Sequence, residues 1–452
     1  YEQILQLRDR PHVFAHLLFA QNTQKAEFGK KLQEMQKRST EITKHLIFVE
    51  LEWCSISEKD AAQLLKDPAI KKWHHYMEAT RRFKPHLLSE PEEKIVDELE
   101  NSGSRAFTRL FDQMIGSMTF NVKLDGKERV MSEEEALSLL YHPDRERRKA
   151  ASNGLTAGFQ ANLKPLTFIF NTLVDHHSTY DRLRHYPDPM ASRNLSNDIN
   201  PKTVDALLKT CETNSHLVSR YYKLKAKLLG LKKLYDFDRY APISLAMPNL
   251  SWEDGKKVII DAYKEFSPEL GAIVTEFYQK NWIDAELRTG KRGGAFCAGA
   301  TTDVHPYILL NYTDRLRDAV TAAHELGHGV HQYLARKQGY LQCDTPLTLA
   351  ETASVFGEML TFHRLMDQEK DPATKLALLC SKIEDAFATV FRQACMTRFE
   401  KQVHAARRKD GELPAEAIGD FWIKANHQMF GDSVELTENY RNWWCYIPHF
   451  VH

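Results

Sequence analysis

The pattern of hydrophobic and polar residues is that of α-helices over most of the chain. Long stretches rich in Leu, Ala, Lys, Glu and Arg carry apolar residues at three- and four-residue spacing, as in KAEFGKKLQEMQKRSTEITKHLIFVELEW, residues 25–53. Proline and glycine are sparse within these stretches, so few of the predicted helices are interrupted. The pattern therefore predicts a mainly α protein.

Two segments break the helical pattern. Residues 118–132 have extended flanks around an Asp-Gly pair, which is typical of a tight hairpin turn. They run into Ser132 and Glu135, whose spacing predicts a capping box at the start of the next helix. Residues 290–313 combine several glycines with the sequence HPYILLNY, which predicts two strands joined by a flexible turn. A strand there could bind an extended peptide by strand addition.

The composition limits which partners the protein is expected to bind. Lysine plus arginine and aspartate plus glutamate both number 61 in the 452 residues, so the formal net charge is zero. Nucleic-acid-binding proteins normally carry a basic excess, so we expect no nucleic-acid partner. No apolar run approaches the ~20 residues that cross a bilayer, and the N-terminal sequence YEQILQLRDR lacks the apolar core of a signal peptide. We therefore expect no membrane association.

The seven cysteines are scattered along the chain and are never spaced Cys-x-x-Cys. This usage favours reduced thiols in a cytoplasmic protein over a disulfide framework or a cysteine zinc site. We therefore predict a cytoplasmic location. The sequence carries no signal of a particular oligomeric state.

The candidate chemistry lies in AAHELGHGVHQYLARKQGY, residues 322–340, which contain the pattern His-Glu-x-x-His. Thr313 and Asp314 can cap a helix that carries this motif, and Gly339 is a plausible stop. The motif is therefore predicted to lie in the middle of one long helix.

On such a helix, His324 and His328 are one turn apart and about 40° apart around the axis, so both imidazoles can reach one tetrahedral zinc. Glu325 is rotated about 100° from His324 and is therefore poorly placed as an equal ligand. It can instead face a zinc-bound water as a general base, which is the arrangement that peptide hydrolysis needs.

A catalytic zinc also needs a third protein ligand, and two residues are candidates. His331 lies about 10.5 Å along the axis from His324, so the helix would have to bend to bring all three histidines to one metal. We place His331 near the site without a ligand role. Glu351 is the better candidate, because TPLTLAETASVFGEML, residues 345–360, predicts a second helix that returns antiparallel to the first. Its apolar neighbours predict a buried glutamate, which needs a partner or a metal.

Glu358 lies seven residues after Glu351 on the same helix face. A carboxylate at that distance is well placed to accept a hydrogen bond from the ring N–H of a ligand histidine. We therefore predict Glu358 as an outer partner of the metal ligands.

The motif at residues 324–328, the glutamate of LAETAS and the stretch GKRGGAF…HPYILLNYT together resemble oligoendopeptidase F, a branch of the thimet-oligopeptidase family of zinc metallopeptidases. Other segments agree: SGSRAFTRLFDQM, HPDRERRKAA, YYKLKAKLLGLKKLYDFDRYAPI and WWCYIPHF. The resemblance covers essentially the whole chain. It implies an elongated, mainly helical body with a deep substrate channel and a small hairpin or sheet beside the zinc helix. It further implies one Zn²⁺ per chain and endopeptidase action on short unstructured oligopeptides.

The resemblance also implies roles for individual residues. His324, His328 and Glu351 match the zinc ligands, Glu325 matches the general base, and His449 matches a histidine near the scissile carbonyl. Residues of the strand-forming stretch would contact the substrate backbone: Ala298, Gly299, Ala300 and Thr301, with His305 either lining the channel or lying under the hairpin. We expect an N-terminal helical region over residues 1–131, ending in the hairpin, and a metallopeptidase catalytic region over residues 132–452.

The family normally continues past the residues that match PHF with a tyrosine-rich stretch, so the resemblance implies that this sequence is part of a longer or processed chain. Two alternatives to an active endopeptidase follow. One is a catalytically impaired peptide-binding protein that retains the zinc site, against which the intact Glu325 argues. The other is a zinc carboxypeptidase of similar helical fold, which would need a cationic group to hold the terminal carboxylate.

Overall fold

A computed structural model describes residues 1–100, 102–243 and 249–452 of the chain. It is mainly helical with small sheets, as the hydrophobic pattern predicted. The helices are α1 (Glu2–Gln21), α2 (Ala26–Lys44), α3 (Ile47–Ser55), α4 (Glu58–Leu64), α5 (His74–Arg82), α6 (Glu90–Glu100), α7 (Ser104–Ser117), α8 (Glu133–Ser138), α9 (Arg145–Ala161), α10 (Leu163–Leu183), α11 (Ala191–Ser196), α12 (Pro201–Thr213), α13 (His216–Leu228), α14 (Trp252–Phe266), α15 (Pro268–Gln279), α16 (Leu316–Ala335), α17 (Leu347–Gln368), α18 (Pro372–Phe387), α19 (Gln393–Asp410) and α20 (Ala415–Phe430).

Seven short strands complete the regular structure of the described residues. They are β1 (Phe120–Leu124), β2 (Lys127–Met131), β3 (Leu234–Tyr235), β4 (Ile283–Asp284), β5 (Phe296–Ala298), β6 (Tyr307–Leu309) and β7 (Val434–Glu435). Within the described residues, no helix combines the length and the apolar character needed to cross a membrane. All seven cysteines carry free thiols.

The chain folds into two compact units. The first contains Tyr1–Pro85, Ser196–Asp198 and Ala246–Lys375, and the second contains His86–Leu195, Ile199–Leu245 and Leu376–His452. Both units combine segments that are distant in the sequence. The predicted division into an N-terminal helical region, residues 1–131, and a metallopeptidase catalytic region, residues 132–452, stays a prediction.

The core of the first unit forms where α14, α15, α16 and α17 pack together with a small sheet. Buried side chains fill it: Ile259, Tyr263, Val274, Phe277, Ile308, Leu310, Leu326 and Val330. The face of α16 toward this core is rich in small residues, because Ala319, Ala322 and Ala323 are all fully buried. Small side chains there allow neighbouring helices to approach closely.

The sheet of the first unit has the strand order β4-β6-β5. β5 pairs antiparallel with β6, with Cys297 opposite Ile308, and β4 pairs parallel with β6. The prediction of two strands in residues 290–313 is therefore confirmed. Among the described strands, β5 lies at the edge of this sheet.

In the second unit, β1 and β2 form the predicted hairpin. Asp125 and Gly126 both have positive φ, 51° and 79°, as a type I′ turn requires. The capping box follows as predicted, with Glu135 N–H donating to the Ser132 hydroxyl and the Glu135 carboxylate accepting from Ser132 N–H. β1 packs on α9, and the core continues through aromatic side chains of α9, α10, α19, α20 and the C-terminal segment: Phe159, Phe170, Phe399, Trp422, Phe430, Tyr440 and Trp443.

Candidate metal centre

The helix that carries the His-Glu-x-x-His motif is α16, and its N-terminus differs from the prediction. Thr313 and Asp314 do not cap it, because the helix begins at Leu316 and Arg315 occupies the N-cap position. The carboxylate of Asp318, in the first turn, instead accepts hydrogen bonds from the backbone N–H groups of Thr313 and Arg315. The capping hydrogen bonds therefore join N–H groups of residues before the helix to a side chain of its first turn. At the other end, Gly339 has a φ of 89° and stops the helical conformation, as predicted.

α16 packs directly on α17, and glycines make the close approach possible. A Cβ atom on Gly327 would lie 2.4 Å from the carbonyl oxygen of Ala353, and one on Gly357 would lie 2.9 Å from the carbonyl oxygen of Ala323. Because Gly327 faces Ala353 while Ala323 faces Gly357, the two helices run antiparallel. The predicted antiparallel return of the second helix is confirmed.

This packing brings three potential metal ligands together. Oε2 of Glu351 lies 3.2 Å from Nε2 of His324 and 3.4 Å from Nε2 of His328. Ligand atoms bound to a tetrahedral zinc at ~2.05 Å are ~3.3 Å apart, so the observed spacing fits a single zinc ion. In the described part of the chain, these residues form the one group of three or more His, Cys, Asp or Glu side chains with such spacing.

Glu325 follows His324 on α16, so its side chain points to a different side of the helix from those of the two histidines. It is only 7 % exposed. Burial raises the pKa of its carboxyl to about 7. A carboxyl with a pKa near neutrality can both accept and return a proton at physiological pH. The position and the environment of Glu325 therefore suit a general base.

The two histidines have different surroundings. The hydrogen bond with Glu358 raises the pKa of His324, whereas burial lowers the pKa of His328. Nδ1 of His324 lies 3.3 Å from Oε2 of Glu358, which leaves Nε2 directed toward Glu351. A carboxylate at the far nitrogen of a ligand imidazole fixes the ring and its tautomer. His331 lies one turn further along α16 and is not among the three convergent residues.

The expected burial of Glu351 is wrong. Its side chain is 59 % exposed, although its carboxylate faces the two histidines. The apolar neighbours that predicted burial are themselves partly exposed, Leu349 by 56 % and Phe356 by 42 %. They lie on parts of the α17 surface that α16 does not cover. Apolar composition around a residue therefore did not determine which face of this helix is covered.

β5 lies beside α16 and is tied to it by a side chain that the sequence did not single out. The Cys297 thiol donates to Oε1 of Gln332 at 3.2 Å, and a Cβ atom on Gly299 would lie 3.3 Å from the same side chain. Gln332 is four residues after His328, one further turn of α16. The four-residue spacing from His328 was the signal that the sequence offered for Gln332. Many polar residues on helix surfaces have such a spacing, so it did not distinguish this one.

The predicted substrate-binding residues form the end of β5 and the turn after it. Ala298 is the last residue of the strand, and Ala300 has a φ of 53°, a left-handed conformation that directs the chain away from the strand. Thr301 is 1 % exposed, and its hydroxyl donates to Oδ1 of Asp303 at 2.5 Å. The second edge of β5 is unpaired among the described strands, and Thr301 anchors the turn that follows it.

His305 packs against aromatic rings of the same unit. Its ring stacks on Trp282 at 4.1 Å between centroids and lies 4.2 Å from the ring of Tyr307. Burial lowers the pKa of this imidazole. The contacts favour the packing alternative, and a substrate contact for His305 stays a prediction.

His449 belongs to the second unit. It is exposed and lines a cavity of about 760 Å³ formed by residues of that unit, among them His404 and Arg193. Its assignment beside the scissile carbonyl comes from the resemblance and stays a prediction.

Comparison with known proteins identifies the family of the chain. The sequence profile of peptidase family M3 matches residues 138–452, and a profile described as Oligopeptidase F matches residues 52–120. The chain belongs to peptidase family M3. It is therefore a metallopeptidase, and its resemblance to oligoendopeptidase F is confirmed.

Individual relatives cover almost the whole chain. Group B oligopeptidase PepB of Streptococcus agalactiae is 28 % identical over 454 residues, which span 98 % of this chain and 74 % of that protein. An oligoendopeptidase F homolog of Lactococcus lactis subsp. lactis is 28 % identical over 459 residues, spanning 99 % and 75 %. The crystal structure of a candidate peptidase from Chlamydophila abortus matches with a TM-score of 0.87 at 25 % identity, covering 100 % of this chain and 76 % of that one.

Proposed function

We propose that this metallopeptidase is a zinc-dependent endopeptidase that hydrolyses internal bonds of short, unstructured oligopeptides. His324, His328 and Glu351 hold one zinc ion in this proposal. The observation that carries it is the convergence of two imidazole nitrogens on one carboxylate oxygen, at 3.2 and 3.4 Å. Two imidazoles and one carboxylate are a typical catalytic zinc set, because they leave a coordination position open.

A zinc ion bound there would polarise the scissile carbonyl and lower the pKa of a water molecule toward ~7. Glu325 takes the proton of the attacking water and later returns it to the leaving amine nitrogen. No serine or cysteine nucleophile takes part, so no acyl-enzyme forms. Glu358 keeps the ring of His324 oriented, and its carboxylate remains outside the proton transfers.

The β5 edge supports binding of an extended peptide. Its partner β6 occupies one side, and the other side is unpaired among the described strands. An extended substrate can therefore add to β5 by backbone hydrogen bonds, which favours unstructured peptides over folded proteins. Residues 298–301 would then contact the substrate backbone. Oligopeptide partners follow from this arrangement, and the seven free thiols support a cytoplasmic location.

The test is cleavage of an internally quenched peptide that is blocked at both ends. Wild type is measured with and without a chelator, beside Glu325→Gln and a control, Glu128→Gln, which removes an exposed carboxylate from β2 of the other unit. We expect internal cleavage by wild type and the control, loss with the chelator, and no turnover by Glu325→Gln while it still binds one zinc.

Other outcomes would favour the alternatives. A wild-type protein that binds zinc and peptide without cleaving it would be a peptide-binding protein. Cleavage confined to the last residue of an unblocked peptide would indicate a carboxypeptidase. Full activity of Glu325→Gln would contradict the proposed general base.

A further inference from the structure

Two arginine side chains of the second unit contact one phenol, that of Tyr240. Nη1 of Arg392 donates to the hydroxyl oxygen of Tyr240 at 2.6 Å, and the guanidinium carbon of Arg239 lies 4.7 Å from the centre of the same ring. The guanidinium of Arg239 also lies 5.0 Å from the ring of Tyr440. Among the described residues, no carboxylate oxygen lies within ion-pair distance of Arg239 or Arg392.

The carboxylates of this region form no ion pair with either guanidinium. Glu384 accepts from Lys225 at 2.5 Å and from the hydroxyl of Tyr221. Oδ2 of Asp236 accepts from the backbone and side chain of Thr437 at 2.7 and 2.6 Å, while its Oδ1 is buried without a hydrogen-bond partner and its backbone carbonyl accepts from Nε of Arg239 at 3.2 Å. In the described part of the chain, the two guanidinium charges therefore have no direct ion-pair partner.

Burial makes this arrangement costly. Arg239 is only 4 % exposed, and a buried charge is destabilising unless it is paired. Arg392 and Tyr240 are half-buried. Arg392 is also the last residue of a π-helical turn, Ala388–Arg392, and such turns are frequent at functional sites.

We propose that Arg239, Arg392 and Tyr240 form a binding site for a small monovalent anion, a carboxylate or a halide. Arg392 uses one of its five N–H groups on Tyr240, and guanidinium donors bind anions strongly. The oxygen of Tyr240 accepts from Arg392, so its own hydrogen can donate to the anion. The site lies within the second unit and is independent of the proposed zinc centre.

The ionised phenol of Tyr240 would compete with a bound anion for the positive charge of the two arginines. The charged groups that face it are Arg239, Arg392 and Glu384. Burial would raise the pKa of Tyr240, but the two guanidiniums lower it to about 8. An ionised Tyr240 would offset one of the two guanidinium charges that attract the anion and could no longer donate a hydrogen bond to it. Anion binding and ionisation of Tyr240 must therefore oppose each other, each weakening the other by the same factor.

Two measurements on the full chain test the site. In the first, the ultraviolet absorbance of tyrosinate is followed through a pH titration in low-anion buffer. We expect one tyrosine that titrates near its lowered pKa, absent from Tyr240→Phe, and a rise in that pKa when chloride or acetate is added. The second measurement is the linewidth of the chloride magnetic resonance signal, which broadens on binding.

We expect the chloride line to be broadened by wild type and by the control Arg220→Gln, which removes an exposed arginine of α13. Arg392→Gln should abolish the broadening. Acetate that restores the narrow line would show that carboxylates use the site, whereas no effect of acetate would restrict it to halides. The broadening should also decrease in wild type above the pKa of Tyr240, a result that needs no variant. Equal broadening by wild type and a folded Arg392→Gln, or broadening by wild type that is undiminished at high pH, would overturn the proposal.

Discussion

Oε2 of Glu358 lies 3.3 Å from Nδ1 of His324, on the side of the ring away from the metal ligands. The contact joins two helices, α16 and α17, and leaves Nε2 of the same ring 3.2 Å from the carboxylate of Glu351. Glu358 is thus placed to orient His324, a proposed metal ligand, and lies outside the group of three that could hold the metal. Its effect should be seen in metal affinity rather than in the fold.

Glu358→Gln should weaken zinc binding by ~10–100-fold, because the neutral amide holds the imidazole less firmly and makes it less basic. The measurement is competition with a chromophoric chelator, with circular dichroism to check the fold. Glu128→Gln, on β2, serves as the charge control and should bind zinc like wild type. An unchanged zinc affinity in Glu358→Gln would mean that the contact does not orient the ligand.

His328→Ala and His331→Ala should separate a metal ligand from a neighbour on the same helix. His328 lies 3.4 Å from Glu351, whereas His331 is outside the convergent group. We expect zinc content near zero for His328→Ala and near one per chain for His331→Ala, measured by atomic emission after dialysis. Loss of zinc from a folded His331→Ala would show that this residue acts at the metal after all.

Gly327→Ala should destabilise the protein by ~1–3 kcal/mol through overpacking between α16 and α17. The added Cβ would lie 2.4 Å from a backbone carbonyl oxygen, which cannot move without shifting the helix. Gly116→Ala, within α7, is the matched control because nothing lies within 4 Å of its added Cβ. It should be neutral or stabilising by at most ~0.5–1 kcal/mol, because Gly116 lies in the last turn of the helix and the penalty of glycine is largest in helix interiors. Denaturant unfolding measures both, and equal effects of the two substitutions would contradict the close helix contact.

Glu400 and His404, one turn apart on α19, should give opposite pH dependences of stability. Burial raises the pKa of Glu400 to about 7 and lowers that of His404 to about 3. Between its unfolded pKa of ~4.3 and the folded value, Glu400 binds more protons folded than unfolded, so its contribution falls as the pH rises. His404 behaves in the opposite way below its unfolded pKa of ~6.5, because the folded state resists protonation.

Relative to wild type, Glu400→Gln should therefore gain melting temperature as the pH rises from ~4.3 toward 7. His404→Gln should gain melting temperature relative to wild type as the pH falls below ~6.5. Thermal unfolding across this range is the measurement. Parallel curves for wild type and both variants would show that neither group titrates abnormally.

Features set by neighbours in the sequence were predictable. The type I′ hairpin at Asp125 and Gly126 and the capping box at Ser132 depend on backbone preferences within a few residues. The same holds for the one-turn spacing of His324 and His328, which follows from helical periodicity alone. The expectation that Glu351 is the third ligand came from the predicted antiparallel second helix, and the family resemblance implies the same role, which is still a proposal.

Features set by packing were harder to predict. The N-terminus of α16 was wrongly placed at Thr313 and Asp314, because the helix itself supplies the capping carboxylate from Asp318. The burial of Glu351 was wrong because an apolar neighbourhood along the chain does not tell which helix face another element covers. Gln332 was not singled out, since its importance comes from a strand that lies beside it only in the folded chain.

The sequence by itself determined the helical class, the motif and its two histidines, because these depend on local propensity and on a repeat of about 3.6 residues. Only the tertiary structure decided that Glu351 and Glu358 face opposite nitrogens of one imidazole. It also decided that Arg239 and Arg392 meet at Tyr240, where no carboxylate of the described residues pairs with either. Such relationships join residues that are tens to hundreds of positions apart, and their distances follow from how closely backbones approach. That approach is decided by glycines and small side chains whose contacts exist only once the core is packed.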